Sequence, residues 1–166
     1  LHTRVRDASG AKMSKSKGNV VDPLDLIDQV GADALRFTLC ALAVQGRDIK
    51  LSPDRVQGYR NFATKLWNAA RFAELNGCRL DPAFDPRSAT GAINRWALTE
   101  AARAVDEVAG ALEAFRFNDA AAAAYRFVWN IFCDWYLELA KPVLQGAGVD
   151  PALRAETQAS VAFLIV

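Results

Sequence analysis

The stretch "SPDRVQGYRNFATKLWNAARFAELNG", residues 52–77, decides the fold, because it carries helical spacing and clear signals at both ends. Ser52 is a typical N-cap, Pro53 suits the first helical position, and Gly77 is typical of a residue just past a helix end. Apolar residues recur at steps of three and four, which predicts one buried stripe. Its members are Val56, Tyr59, Ala63, Leu66, Ala70 and Ala73.

Shorter helices are predicted before this one, and further long helices after it. Asp22 caps a helix that starts at Pro23 and ends at Gly31, and a second helix spans residues 32–43. "GRDIKLS", residues 46–52, is predicted as a short strand or an extended crossing segment. "CRLDPAFDPRSATG", residues 78–91, has the composition of a linker. Beyond it we predict helices over residues 92–115, over residues 118–144 with Asn118 as the cap, and from Pro151 onward.

The expected fold class is therefore mainly α, with two domains. Residues 1–51 hold a basic loop, two short helices and one extended segment. Residues 52–166 form a helical bundle whose last helix is cut short by the chain end. The abrupt start and the apolar end "SVAFLIV" lead us to expect a piece of a longer protein.

Composition excludes several classes of protein. The 166 residues include 20 Lys and Arg against 19 Asp and Glu, so a nucleic-acid surface would have to come from local clustering of charge. Three widely spaced cysteines, Cys40, Cys78 and Cys133, fit a reducing cytoplasm better than a disulfide framework. No apolar run is long enough to predict a membrane span.

The most informative short stretch is "GAKMSKSKGNVVDP", residues 10–23, with three lysines and two serines close together. Ammonium and hydroxyl donors on a glycine-containing loop can hold a polyphosphate. The spacing differs from that of a P-loop, so lysine side chains rather than a backbone cradle would have to bind the phosphates. Without further information, a solvated basic loop remains the commoner explanation of such a sequence.

The loop resembles a known signature, because "KMSKS" at Lys12 to Ser16 matches the second signature of class I aminoacyl-tRNA synthetases letter for letter. The following "KGNVVDPLDLIDQVGADALRF" is similar to the valine, isoleucine and leucine branch. "GYRNFATKLWNAARF", residues 58–72, and "FRFNDAAAAAYRFVWNIFCDWYLELAKP", residues 115–142, resemble the valine-specific members. The resemblance covers nearly the whole chain.

This resemblance implies a function and a set of residues. Such enzymes activate an amino acid with ATP, accompanied by Mg²⁺, and transfer it to tRNA. It implies that Lys15 is the main phosphate donor and Lys12 its assistant, with Met13, Ser14 and Ser16 completing the ATP-binding loop. The family's first signature, its nucleotide-binding fold and its editing domain are expected in other parts of a longer enzyme. His2, the only histidine, is interpreted as incidental. The fragment alone should therefore be inactive.

The resemblance also implies that the helical part binds the anticodon of valine tRNA. Lys65 and Phe72 are the predicted contacts, joined by Arg60. Lys65 and Phe72 are seven positions apart, hence on roughly one helical face and about 10 Å apart. At Asp54 related enzymes would carry a basic residue, which puts one contact in doubt. The competing explanation is an amphipathic helix in which Phe72 covers the core edge and the charges are solvated.

Two alternatives stay open. The same region of an isoleucyl or leucyl enzyme is the first, and a non-catalytic helical interaction module with an incidental basic loop is the second.

In "WNIFCDWYLELAKP", residues 129–142, three- and four-residue spacing predicts a buried helical face. Its members are Trp129, Phe132, Trp135, Tyr136 and Leu139, with Cys133 packed among them. Asp134 and Glu138 have no histidine nearby, so no metal site is predicted.

Overall fold

The computed structural model describes residues 4–165, which form two compact units. The first contains residues 4–64 and 107–124, and the second contains residues 65–106 and 125–165. The interpretation of His2 as incidental concerns a residue outside the described range. The sequence-based division at residue 51 stays a prediction.

Seven α-helices are assigned in the described range, so the expectation of a mainly α fold is confirmed. Their bounds are α1 Pro23–Val30, α2 Ala32–Leu42, α3 Pro53–Leu75, α4 Ala92–Glu113, α5 Phe117–Tyr125, α6 Leu137–Gln145 and α7 Pro151–Ile165. A π-helix, Arg126–Tyr136, joins α5 to α6. Asn118 lies inside the first turn of α5, so the prediction that it caps this helix is wrong.

The first unit is organised around a small apolar core and one pair of strands. β1 (Val5–Arg6) pairs in parallel with β2 (Ile49–Lys50), so the extended segment predicted around Ile49 is confirmed and has a partner. Arg6 forms an ion pair with Asp48 beside this pairing. The core behind it consists of Leu26, Ala34, Leu35, Leu51 and Val56, all buried.

α1 begins and ends as predicted from its sequence. The carboxylate of Asp22 accepts a hydrogen bond from the backbone N–H of Leu24 at 2.8 Å, and Pro23 occupies the first helical position. Gly31 ends the helix at a φ of 90°, a value that favours glycine. Because α2 starts directly after this residue, Gly31 is the hinge between two helices that both contribute to the core.

The second unit contains the larger core, built from the second half of α3, the start of α4, the π-helix, α6 and α7. Its buried residues are Ala69, Ala73, Cys78, Ala97, Phe132, Cys133, Tyr136, Leu137, Ala140, Leu144, Val161 and Ala162. Alanine on every one of these α-helices lets their backbones approach closely. Burial raises the pKa of the Cys78 thiol to about 11.

The buried stripe predicted for α3 is wrong in part. Val56 and Ala73 are buried as expected, but Ala63 and Leu66 are exposed. Phe62 and Ala69 are buried instead. The first half of α3 packs in one unit and the second half in the other, so no single stripe describes the helix.

The π-helix explains a second difference between prediction and structure. Phe132, Cys133 and Tyr136 are buried as predicted, whereas Trp135 is 63% exposed and Leu139 is 45% exposed. A π-helix bonds each N–H to the carbonyl five residues back and turns less per residue than an α-helix. Three- and four-residue spacing therefore no longer follows one face, and Trp135 rotates out to solvent.

A polar network fastens α7 to the start of α4 inside the second unit. The carboxylate of Glu156 accepts hydrogen bonds from the Thr90 and Gly91 N–H groups, both at 2.9 Å, and from Asn94 Nδ2 at 2.8 Å. The Tyr136 hydroxyl donates to Asn94 Oδ1 at 2.9 Å. Asn94 is completely buried, so Glu156 and Tyr136 together satisfy both polar atoms of an amide that has no access to water.

Candidate phosphate-binding loop and nucleic-acid interface

The lysine-rich loop has a defined conformation that depends on the side chain of Asn19. Asn19 Oδ1 accepts a hydrogen bond from the Ser14 N–H at 2.9 Å, and Asn19 Nδ2 donates to the Lys12 carbonyl at 3.2 Å. Nδ2 also donates to Asp7 Oδ2 at 2.8 Å. One amide therefore fixes the backbone at two points of the Lys12–Ser16 segment and ties it to Asp7.

Asp7 is the second residue that holds the loop. Its carboxylate accepts hydrogen bonds from the Ser9 hydroxyl at 2.6 Å and from the Ala11 N–H at 2.8 Å, in addition to Asn19. The hydrogen bonds from Ser9 and Asn19 lower the pKa of Asp7 to about 2 despite some desolvation, so the group is ionised at neutral pH. Sequence reasoning missed both Asp7 and Asn19, although Asp-x-Ser is a recognisable turn signal.

The three loop lysines face solvent. Lys15, Ser16 and Lys17 form a single 3₁₀ turn that Gly18 closes at a φ of 66°. Met13 packs on the core of the first unit and anchors the loop. Lys12, Lys15 and Lys17 are exposed and make no ion pair with any residue in the range 4–165. The loop therefore presents unneutralised ammonium groups on a braced backbone, an arrangement that suits a polyanion.

Lys65, the first predicted anticodon contact, lies in the second unit and is not a free cation. Its ammonium donates a hydrogen bond to Asp134 Oδ1 and lies 4.2 Å from the centre of the Trp129 ring. The Trp129 ring in turn stacks on Tyr125, with ring centres 5.4 Å apart and planes 8° from parallel. The side chains of Lys65 and Asp134 are 27% and 45% exposed, so both can still meet a ligand.

The other two predicted contacts lie in different surroundings. Phe72 is half-buried against the core of the second unit, and the Lys141 ammonium lies 5.9 Å from its ring centre. The core-edge explanation for Phe72 is thus correct in part, but one part of the ring stays accessible. Arg60 is exposed on the segment of α3 that belongs to the first unit.

Two exposed tryptophans flank Lys65 and Asp134 in sequence. Trp67 is 67% exposed on α3, and Trp135 is 63% exposed on the π-helix. Flat aromatic surfaces in water are suited to stacking on unpaired bases. Sequence spacing assigned Trp135 to the core, and only the π-helix brings it to the surface.

Residues 4–165 offer neither a candidate metal site nor a helix fit to cross a membrane. No group of three or more His, Cys, Asp or Glu side chains in that range is placed to hold a metal ion. None of the helices described there combines the length and apolar character needed to cross a membrane.

Two protein families match separate parts of the chain. Residues 1–52 match the family described as class I tRNA synthetases for isoleucine, leucine, methionine and valine. Residues 94–165 match the anticodon-binding domain of tRNA ligases. The α3 segment with Arg60, Lys65 and Phe72 lies between the two matches.

Individual relatives cover nearly all of the chain. It is 65% identical to a valine–tRNA ligase of Nitrobacter winogradskyi over 98% of its length, and 66% identical to one of Rhodopseudomonas palustris over 98%. A valine–tRNA ligase of Brucella suis is 61% identical over 99%. The chain spans only 17–18% of the length of these relatives.

A solved structure supports the fold independently. A leucyl-tRNA synthetase of Agrobacterium radiobacter, solved as a ternary complex with tRNA and LeuAMS, matches 98% of this chain with a TM-score of 0.70. The chain covers 20% of that protein, and the sequence identity is 23%, so this likeness concerns the fold alone.

Proposed function

Because the chain belongs to the class I aminoacyl-tRNA synthetase family, we propose that it is the part of a valine–tRNA ligase that carries the phosphate-binding loop and the anticodon-binding helices. The observation that carries this proposal is the identity of 61–66% to valine–tRNA ligases over nearly the whole chain. The complete enzyme would activate valine with ATP and transfer it to valine tRNA. Its remaining domains would supply the valine pocket and the rest of the ATP site.

We propose that the loop acts on ATP, with Mg²⁺ accompanying the nucleotide. Lys15 is the main donor to the phosphates and Lys12 assists, while Met13, Ser14 and Ser16 shape the loop. Exposed, unpaired ammonium groups support this role, since they are available to the negative charge that develops as pyrophosphate leaves. The packing of Met13 against the core and the hydrogen bonds of Asn19 to the loop backbone support the shaping role.

We propose that tRNA is the partner of the helical part, residues 52–166, and that residues 1–51 form the loop and a segment that contacts the tRNA stem. Lys65 and Phe72 would contact anticodon bases, and Arg60 would contact the RNA backbone. The partly accessible Phe72 ring and the exposed Trp67 and Trp135 support base stacking in this region. The three free thiols fit the cytoplasmic location that we propose for the enzyme.

Titration of the 166-residue chain with RNA tests this function. We expect weak, salt-sensitive binding to the anticodon stem-loop of valine tRNA, and a loss of affinity of about tenfold when the middle anticodon base is changed. Gel-shift or fluorescence-anisotropy titration measures both. Equal affinity for every stem-loop would contradict anticodon recognition and favour a non-catalytic helical module with a nonspecific basic surface. Preference for an isoleucine or leucine stem-loop would favour that branch of the family.

Substitution of the two proposed contacts tests their assignment. We expect Lys65→Ala and Phe72→Ala each to reduce discrimination between the two stem-loops by about fivefold to tenfold, since one loses a hydrogen-bond donor and the other a stacking surface. Circular dichroism should show an intact fold. Lys141→Ala is a control for the cation beside Phe72 and should change discrimination little. Full discrimination in both variants would contradict the assignment.

A further inference from the structure

Lys65 has an unusual environment for a cation that binds RNA, because a carboxylate and an aromatic ring already hold its ammonium. Asp134 accepts one of its hydrogen bonds, and the Trp129 ring lies against it at 4.2 Å. A lysine that neutralises a phosphate is normally a freely rotating charge with three available donors. In this protein the carboxylate cancels most of the charge that a phosphate would feel.

The same contacts fix where the remaining donor points. An ammonium group has three N–H donors, of which Asp134 takes one and the ring face of Trp129 attracts another. The Trp129 ring cannot shift easily, since it stacks on Tyr125. One N–H with a restricted direction suits a single acceptor on a base edge, whereas a phosphate offers several oxygens and needs no such restriction.

We propose that Asp134 is a positioning residue that converts Lys65 from a phosphate-binding cation into a directed donor to a base edge. The inference rests on the proposed anticodon role of Lys65 and adds a specificity-determining partner on the π-helix. Trp129 completes the arrangement, because its ring face provides the second contact that holds the Lys65 ammonium. Specificity gains at the expense of electrostatic affinity, because the paired lysine attracts any RNA less strongly.

Salt dependence separates a base-edge donor from a phosphate contact. Affinity falls as salt rises, and each phosphate neutralised on single-stranded RNA adds about 0.7 to the magnitude of the slope of log affinity against log salt, hereafter called the slope. We therefore expect Lys65→Ala to leave the slope nearly unchanged while it lowers discrimination at the middle anticodon base. Asp134→Asn frees the ammonium, so it should raise the slope by about 0.7, raise affinity for the mismatched stem-loop and lower discrimination.

The experiment titrates the full 166-residue chain with the valine anticodon stem-loop and its middle-base variant at four salt concentrations. Glu100→Gln is the matched control, since it makes the same change of charge and releases Arg103, the cation paired with Glu100, in the same unit. Asp134→Glu keeps the carboxylate and should behave as the wild type. Circular dichroism reports the fold. If Asp134→Asn does not fold, the slope of Lys65→Ala still decides between a base-edge donor and a phosphate contact, and Asp134→Ala, which also frees the ammonium, tests the role of Asp134.

Each other outcome has a definite meaning. A fall in slope of about 0.7 in Lys65→Ala, with discrimination intact, would make Lys65 a phosphate contact and overturn this inference, while RNA binding would stand. Lost discrimination in Lys65→Ala together with a wild-type slope and discrimination in Asp134→Asn would overturn the role of Asp134 alone. An equal rise in slope in Asp134→Asn and Glu100→Gln would reduce the effect to net charge. No change in Lys65→Ala would remove the anticodon role and the inference together.

Discussion

Replacing Lys15 with alanine in the complete ligase should lower the rate of valine activation by about a hundredfold or more. Negative charge builds up on the β- and γ-phosphates as the α-phosphorus is attacked, and the Lys15 ammonium is available to it because no side chain in residues 4–165 neutralises it. Loss of one charged donor aimed at a transition state commonly costs about 2–4 kcal/mol. Pyrophosphate exchange measures the effect directly.

Lys17→Ala is the matched control for Lys15→Ala. Both lysines are exposed, both belong to the same 3₁₀ turn, and either substitution removes one positive charge from the loop. Residues two apart in a helix with about three residues per turn point in different directions, so the two side chains do not serve the same phosphate in the same way. Exchange within threefold of wild type in Lys15→Ala, or an equal loss in Lys17→Ala, would contradict the assignment of Lys15.

The elements that could be predicted from the sequence are those with local causes. Asp22, Pro23 and Gly31 determine the ends of α1 through their own backbone and side-chain chemistry, and the structure confirms each of them. Ile49 and Lys50 were predicted as extended for the same reason, yet their partner strand around Val5 was not predicted. A parallel partner more than forty residues away leaves no local signal.

The π-helix shows a different limit of sequence reasoning. The spacing of apolar residues predicts the buried face of a helix only while the helix keeps one geometry. The change to π geometry at Arg126 leaves no signal in that spacing. It moved Trp135 from the predicted core to the surface while leaving Phe132 and Tyr136 buried. π-helical segments occur frequently at functional sites, and this π-helix carries Asp134, the partner of Lys65.

The lysine-rich loop could be predicted as a motif, but the contacts that hold its conformation could not. The motif from Lys12 to Ser16 is identified by resemblance, whereas the hydrogen bonds of Asn19 and Asp7 that hold it appear only in the folded structure. The ion pair of Lys65 could not be predicted either, because its partner Asp134 lies 69 residues further along the chain. Pattern and resemblance supply candidate residues, and three-dimensional contacts decide what those residues can do chemically.

The Glu156 network should be the most sensitive point in the stability of the second unit. We expect Glu156→Gln to reduce the free energy of unfolding by about 2–4 kcal/mol, because glutamine keeps only one of the two acceptor oxygens. Its NH₂ would face either the Thr90 N–H, which donates to Oε2 in the wild type, or the Gly91 N–H and Asn94 Nδ2, which donate to Oε1, and would leave those donors unpaired. The melting temperature should fall by about 5 to 15 °C. Thermal unfolding followed by circular dichroism measures both.

The difference between wild type and Glu156→Gln should also depend on pH. Burial alone would raise the pKa of Glu156, but the hydrogen bonds from Asn94, Thr90 and Gly91 outweigh it and lower this pKa to about 2 from its ordinary value of 4.5. The unfolded chain therefore binds more protons at Glu156 between these two values, so the stabilisation is complete above about pH 5 and is lost as the pH falls toward 2. Glutamine does not titrate, so the free energies of unfolding of the two proteins should converge as the pH falls.

Glu138→Gln, which breaks only the exposed ion pair with Lys141, is the control and should change stability by about 1 kcal/mol or less at any pH. A pH-independent gap between wild type and Glu156→Gln would mean that shape, rather than the charge of Glu156, holds α7 against the start of α4.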